Sequence, residues 1–161
     1  MAVREVLRYP HPALKQVAAE ATPDAAQRVG ADLVDTMRSF PRCVGIAAPQ
    51  LGELVRVVAV DVTDHPKATS SHGLLVLANP RVVLASGAEV AREGCLSIPD
   101  LTANVRRATE IVVEADGGRV IRSEGFEARC LLHEIDHLDG LLFLDRVDSL
   151  KTDVFRRKRY A

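Results

Sequence analysis

The residues best placed to do chemistry are His133-Glu134-Ile135-Asp136-His137, an H-E-x-x-H pattern set in an apolar run. On a helix, positions 133 and 137 stand one turn apart on one face, so two imidazoles can grip a single metal ion. Glu134 then projects beside the ion, where a carboxylate can handle the proton of a water. A helix carrying two His, a Glu and an Asp among leucines is costly to bury unless those groups find partners, and a divalent cation is one such partner. The plainer alternative is a core helix whose histidines are satisfied by hydrogen bonds.

A catalytic site of this type needs a third protein ligand and an open position. Cys95, Cys130, Asp136, Glu134 and a distant His are the candidates. Cys130 lies three residues before His133, but three ligands on consecutive turns of one helix wrap poorly around a tetrahedral ion. Cys95, in the non-helical stretch Gly94-Cys95-Leu96 before Pro99, closes the site better and is favoured. Asp136 rotates away from the histidine face and is expected to hold a His nitrogen or a backbone group instead.

The elements that must position these groups read as an α+β fold: small antiparallel or mixed strands and hairpins around a central metal-binding helix, with an amphipathic helix nearer the N-terminus. Apolar Ala25, Val29, Leu33 and Met37 recur every four residues, and Pro23 and Pro41 bound this first helix. Residues 54–62 and 74–78 read as strands. Ser86-Gly87 suggests a short hairpin between 82–84 and 89–91, and Asp116-Gly117-Gly118 a second one between 110–114 and 119–122. The central helix should run from near Phe126 to Gly140, and the tail from Ser149 should form a short helix. His11, His65 and His72 read as loop residues, the last two solvent-facing.

The 161 residues fit one domain, and 47% hydrophobic with 27% charged residues is ordinary for a globular protein. A net charge of −1 gives no electrostatic case for nucleic acid or membrane surfaces, and the basic cluster at 156–159 reads as a solvated end. There is no apolar stretch of membrane-spanning length and no signal-peptide pattern, so a cytoplasmic protein is expected. Three widely spaced cysteines do not make a disulfide framework.

Three segments together resemble the peptide deformylase family: Gly45-Ile46-Ala47-Ala48-Pro49-Gln50, Glu93-Gly94-Cys95-Leu96-Ser97-Ile98-Pro99 and His133-Glu134-Ile135-Asp136-His137-Leu138. Their order and spacing fit, and residues 7–14 and Asn79-Pro80 also look like family positions. The resemblance covers nearly the whole chain, as one domain over 1–161. Two positions depart from the pattern: Cys43 stands where the family usually has Gly, and Leu132 where it usually has Gln.

The resemblance implies metal-dependent removal of the formyl group from N-terminal formyl-methionine of new polypeptides. It implies metal ligands Cys95, His133 and His137, with water in the fourth place. The ion would be ferrous iron, with zinc, nickel or cobalt able to replace it. Glu134 would be the general base, and the Gln50 side chain and Leu96 backbone N–H the oxyanion donors. Gly45 would let substrate backbone approach, while Val44, Phe126 and Cys130 would line the methionine pocket. Glu93 and Arg107 would form an ion pair behind the Cys95 loop. Partners would be formyl-methionyl nascent chains and the ribosome that presents them. A zincin-like peptidase and a non-catalytic binding module of the same fold are the alternatives. The first lacks a suitable downstream third ligand, and intact Glu134 and Gln50 argue against the second.

Overall fold

A computed structural model describes residues 2–158. Two α-helices, α1 (Pro23–Ser39) and α2 (Gly125–Leu138), pack with three three-stranded antiparallel sheets. The first sheet joins β1 (Gly45–Ala47), β2 (Val57–Val60) and β3 (Leu75–Ala78) in that order. The second joins β4 (Arg81–Ser86), β7 (Glu110–Ala115) and β8 (Arg119–Glu124) in that order. The third joins β5 (Glu89–Cys95), β6 (Ile98–Arg107) and β9 (Val154–Arg156) in that order.

The run of β-branched residues in β2 is buried on both faces because the first sheet is sandwiched. Val57 and Ala59 face Val29, Leu33 and Met37 of α1. Val58 and Val60 face Leu131, Ile135 and Leu138 of α2, together with Ile111, Val113 and Ile121 of the second sheet. Side chains alternating across a strand explain why both β2 sets are apolar. A third cluster of Leu14, Ile98, Val105, Leu142 and Phe143 backs the Cys95 hairpin.

Helix α1 begins where Thr22 Oγ1 accepts from Ala25 N, with Pro23 in the first turn. Helix α2 ends in a Schellman motif: Gly140 N donates to His137 O at 3.1 Å and Leu141 N to Asp136 O at 2.9 Å. Gly140 has φ 72°, and a Cβ there would stand 2.7 Å from the Lys15 backbone. Both facts require glycine at that position.

Two expected local structures differ. Ser86-Gly87 does not close a hairpin, because β4 pairs with β7 while β5 pairs with the ten-residue β6. The longer ladders outweigh a two-residue turn signal. The tail after Ser149 is not a helix. Residues 154–156 pair with Leu101, Thr102 and Ala103 on the open edge of β6, so tertiary pairing overrides local preference. Arg159 of the basic cluster, and Met1, lie outside the described residues. No helix among the described residues is long and apolar enough to cross a membrane.

Candidate metal centre and active-site cleft

Helix α2 carries His133, Glu134 and His137 into the interior, each less than one-tenth exposed. Cys95 comes from outside the helix. It ends β5, and Leu96-Ser97 form the tight turn into β6, with the register shifting between Gly94 and Cys95. A bulge at that point re-aims the thiol toward the helix. Cys95 Sγ lies 3.4 Å from His137 Nε2, and the donor atoms of Cys95, His133 and His137 all fall within 4.8 Å of one another. Among the described residues they form the one group of this kind. A sulfur and two imidazole nitrogens so close together suit a single divalent cation. Cys130 is also buried, but it lines the neighbouring cleft and does not join the group.

The histidines are held differently. His133 Nδ1 meets Glu93 Oε1 at 2.9 Å, which leaves Nε2 as its free nitrogen. Burial pushes His133 toward the neutral form, but Glu134, Cys95 and Glu93 together raise its pKa well above the ordinary value. Burial, then His133 and Arg107, push His137 well below the ordinary value, so it is a neutral imidazole. His137 Nδ1 is buried with no hydrogen-bond partner among the described residues. Ligation needs both imidazoles neutral, so a cation bound here would displace the proton that His133 otherwise attracts.

Glu93 is a hub behind the centre. Arg107 donates to it twice, Nε to Oε2 at 2.9 Å and Nη2 to Oε1 at 3.0 Å, and Arg129 Nη1 reaches Oε2 at 2.7 Å. Burial alone would raise the Glu93 carboxyl, yet hydrogen bonds from His133 and Arg107 hold it well below the usual carboxylate range. The expected Glu93–Arg107 pair is therefore present, and Arg129 joins it. Arg129 went unnoticed in the sequence, although its place one turn before His133 was the available signal.

Asp136 differs from expectation: its carboxylate binds no histidine. It accepts from Arg107 Nη1 at 2.6 Å and from Arg146 at 2.9 and 3.0 Å. The arginines win because they approach from the face of α2 that the imidazoles leave.

Glu134 lies beside the donor group and forms no salt bridge among the described residues. Its Oε1 is buried and unpartnered among the described residues. Burial, only partly offset by His133, raises its pKa to about 7, a value suited to taking and returning protons near neutrality. Gly45 makes this position possible, since a Cβ there would lie 2.6 Å from Glu134 Oε2.

Gln50 sits in a 3-10 turn, Ala48–Leu51, that follows β1. Its Oε1 accepts from Ala47 N at 3.0 Å, so Nε2 is turned toward the centre, 3.1 Å from Ser97 Oγ and 3.5 Å from Cys95 Sγ. The chain's first segment ties this turn to the Cys95 turn: Leu7 N donates to Gln50 O at 2.7 Å and Tyr9 N to Ser97 O at 2.8 Å.

A cleft of about 410 Å³ opens onto these groups. Val44, Gly45, Leu96, Phe126 and Cys130 all line it. Cys43 also lines it, with Sγ 3.4 Å from Gly45 O, and burial raises its thiol to about 12. Leu132 instead packs against the main core. His65 corrects an expectation. It is half-buried and not solvent-facing, its ring stacked on Phe126 with centroids 4.3 Å apart at the cleft wall. His72 is exposed but engaged, with Nδ1 2.6 Å from Glu127 Oε1.

The sequence model of the family described as polypeptide deformylase matches residues 3–153. The chain is 38% identical to a peptide deformylase of Syntrophobacter fumaroxidans over 98% of this chain and 94% of that one. It is 40% identical to that of Dictyoglomus thermophilum over 94% and 98% respectively. Its fold matches a peptide deformylase of Legionella pneumophila with TM-score 0.81 at 36% identity, covering 93% of this chain and 89% of that one. It also matches a class I type b peptide deformylase of Acinetobacter baumannii solved with Met-Ala-Ser bound, with TM-score 0.79 at 30% identity, covering 91% and 100%. On a match of this extent, with the donor group in place, the chain belongs to the polypeptide deformylase family.

Proposed function

We propose that this chain hydrolyses the formyl group from the N-terminal formyl-methionine of nascent polypeptides. The observation that carries the reading is the convergence of Cys95, His133 and His137 beside an unpartnered Glu134 at the floor of an open cleft. In this reading residues 1–161 act as one domain, supported by a family match that runs over 3–153. The cytoplasm is its place of work, where ribosomes present its substrates.

Cys95, His133 and His137 would hold the ion, and family resemblance favours ferrous iron over zinc, nickel or cobalt. When bound, such a cation acidifies water and polarises a carbonyl. Glu134 takes the proton of the attacking water through its free carboxylate oxygen and later returns one to the leaving amine. The Gln50 Nε2 donor and the Leu96 N–H stabilise the oxyanion that develops on the formyl oxygen, a donor of that kind being worth about 2.7–4 kcal/mol. Val44, Phe126 and Cys130 receive the methionine side chain. Gly45 leaves room for substrate backbone next to Glu134. The Acinetobacter baumannii relative, with Met-Ala-Ser bound, supports a methionyl peptide as the ligand.

The test compares kcat/KM for formyl-Met-Ala-Ser and acetyl-Met-Ala-Ser on anaerobically prepared protein of measured metal content. Efficient formyl cleavage with at least about 10²-fold discrimination against acetyl is expected, because the extra methyl displaces the carbonyl from its donors. Equal rates would make the chain a broader amidohydrolase, and no cleavage would make it a binding module.

A further inference from the structure

We infer that the cleft mouth selects substrates with acidic side chains just after the methionine, through a ring formed by Arg42, Lys67, Arg92 and Arg157. This rests on the deformylase reading and adds to it a preference among substrates.

All four residues line the cleft, and all four are exposed. They arrive from separate parts of the chain. Arg42 occupies the turn after α1 with φ 66°, and Lys67 lies in the loop whose His65 stacks on Phe126. Arg92 is in β5, and Arg157 directly follows β9. Among the described residues none of the four forms an ion pair; Arg8, Arg119, Arg122 and Arg156 form none either, but those are scattered, whereas these four line one opening.

The carboxylates of the cleft do not compensate the ring. Glu93 is committed to Arg107, Arg129 and His133, and Glu134 lies buried at the floor. The chain's net charge of −1 thus conceals a local concentration of cations at one opening. A cleft lined by one sign of charge focuses the field and raises the local concentration of the opposite sign.

Two members of the ring are set in place. Arg92 donates to Asn104 Oδ1 at 3.1 Å and to Thr102 Oγ1 at 3.3 Å, with its guanidinium 3.8 Å from the Phe155 ring centroid. Arg157 is anchored by its backbone N to Asp100 O at 2.8 Å, and its guanidinium lies over Gly94, where a Cβ would collide with it. Neutral partners hold the Arg92 guanidinium without quenching its charge. A formyl-methionyl end seated at Cys95 and Glu134 must send the rest of its chain out through this mouth. The residues after methionine then pass the ring, where Asp or Glu side chains find charge-assisted donors and Lys or Arg side chains meet like charge.

The experiment measures kcat/KM for three C-terminally amidated peptides, formyl-Met-Asp-Glu-Ser, formyl-Met-Ala-Ala-Ser and formyl-Met-Lys-Lys-Ser, at about 20 mM and about 300 mM salt. The acidic peptide should exceed the lysine peptide by about tenfold or more at low salt, chiefly through KM, with the ratio shrinking at high salt. The combined variant Arg42→Gln, Lys67→Gln, Arg92→Gln, Arg157→Gln should bring the ratio to about one. The salt response of the unmodified protein keeps the test valid if that variant folds poorly. Equal rates for all three peptides would overturn this inference alone. If the rates are equal and a single-stranded RNA oligonucleotide binds the ring with salt-dependent affinity, the cations serve a polyanion and the inference is likewise overturned. Failure to cleave even the alanine peptide would overturn the deformylase reading first.

Discussion

Glu93 Oε1 lies 2.9 Å from His133 Nδ1, so a carboxylate on β5 fixes the orientation of an imidazole on α2. The same strand ends at Cys95, two residues on. One segment therefore supplies a sulfur donor and aligns a nitrogen donor, and the helix needs no further device to present His133 correctly.

The sulfur ligand is Cys95 in the proposed site, although Cys130 lies in the same cleft. Cys95→Ala should lose the metal, and Cys130→Ala should keep about one equivalent per chain. Elemental analysis of the purified variants decides this. Full occupancy in Cys95→Ala would remove that residue from the coordination set.

Glu134→Gln should retain metal and fold while kcat drops on the order of 10²–10⁴-fold, the range for a lost general base. The amide keeps the size of the side chain but cannot take a proton. Parallel metal content and turnover measurements separate this role from ligation, and unchanged turnover would sink it.

Gly45→Ala places a methyl 2.6 Å from Glu134 Oε2. The carboxylate must swing aside, and a displacement near 1 Å is expected to cost about 10²-fold in kcat/KM. Metal content should be unchanged. A variant with normal kinetics would show that Glu134 need not occupy this position during turnover.

Arg107 sits between Glu93 and Asp136 with a side chain only 5% exposed. Arg107→Met leaves Glu93 with Arg129 and His133, and Asp136 with Arg146 alone, and should lower stability by up to about 3–5 kcal/mol in urea unfolding. The pH response has a definite sign. The Glu93 carboxyl is held below its unfolded value, so its contribution is complete above the ordinary carboxylate range near pH 4.3 and is lost as pH falls toward its folded value. Metal-free Glu93→Gln should therefore show a shallower fall in stability below about pH 4.5. An identical slope in both proteins would separate Glu93 from acid unfolding.

Much of the site was legible because its chemistry is local in sequence. The spacing of His133 and His137 defines a helical face without any tertiary knowledge, and the turn around Cys95 announces a non-helical ligand. The Asp116-Gly117-Gly118 turn and Gly140 marked a hairpin and a helix end correctly, since both depend on backbone preference. The errors fell where distant partners decide. The expectation that Asp136 holds a His nitrogen or a backbone group fails because the approach of Arg107 and Arg146 is tertiary. The Ser86-Gly87 hairpin failed to competing ladders, and β9 formed because β6 had a free edge. His65 read as solvent-facing because only the folded loop brings it to Phe126.

The hydrogen bonds from Leu7 to Gln50 and from Tyr9 to Ser97 give the first segment a task that belongs to neither sheet it touches. The turn after β1 and the turn after β5 hang from different sheets, and this strip of backbone acts as a gauge block between them. The separation of the Gln50 amide from the Cys95 thiol is thus calibrated by residues 7–9. Strain on residues 7–9 would therefore reach both oxyanion-side turns at once, although neither Leu7 nor Tyr9 lines the cleft.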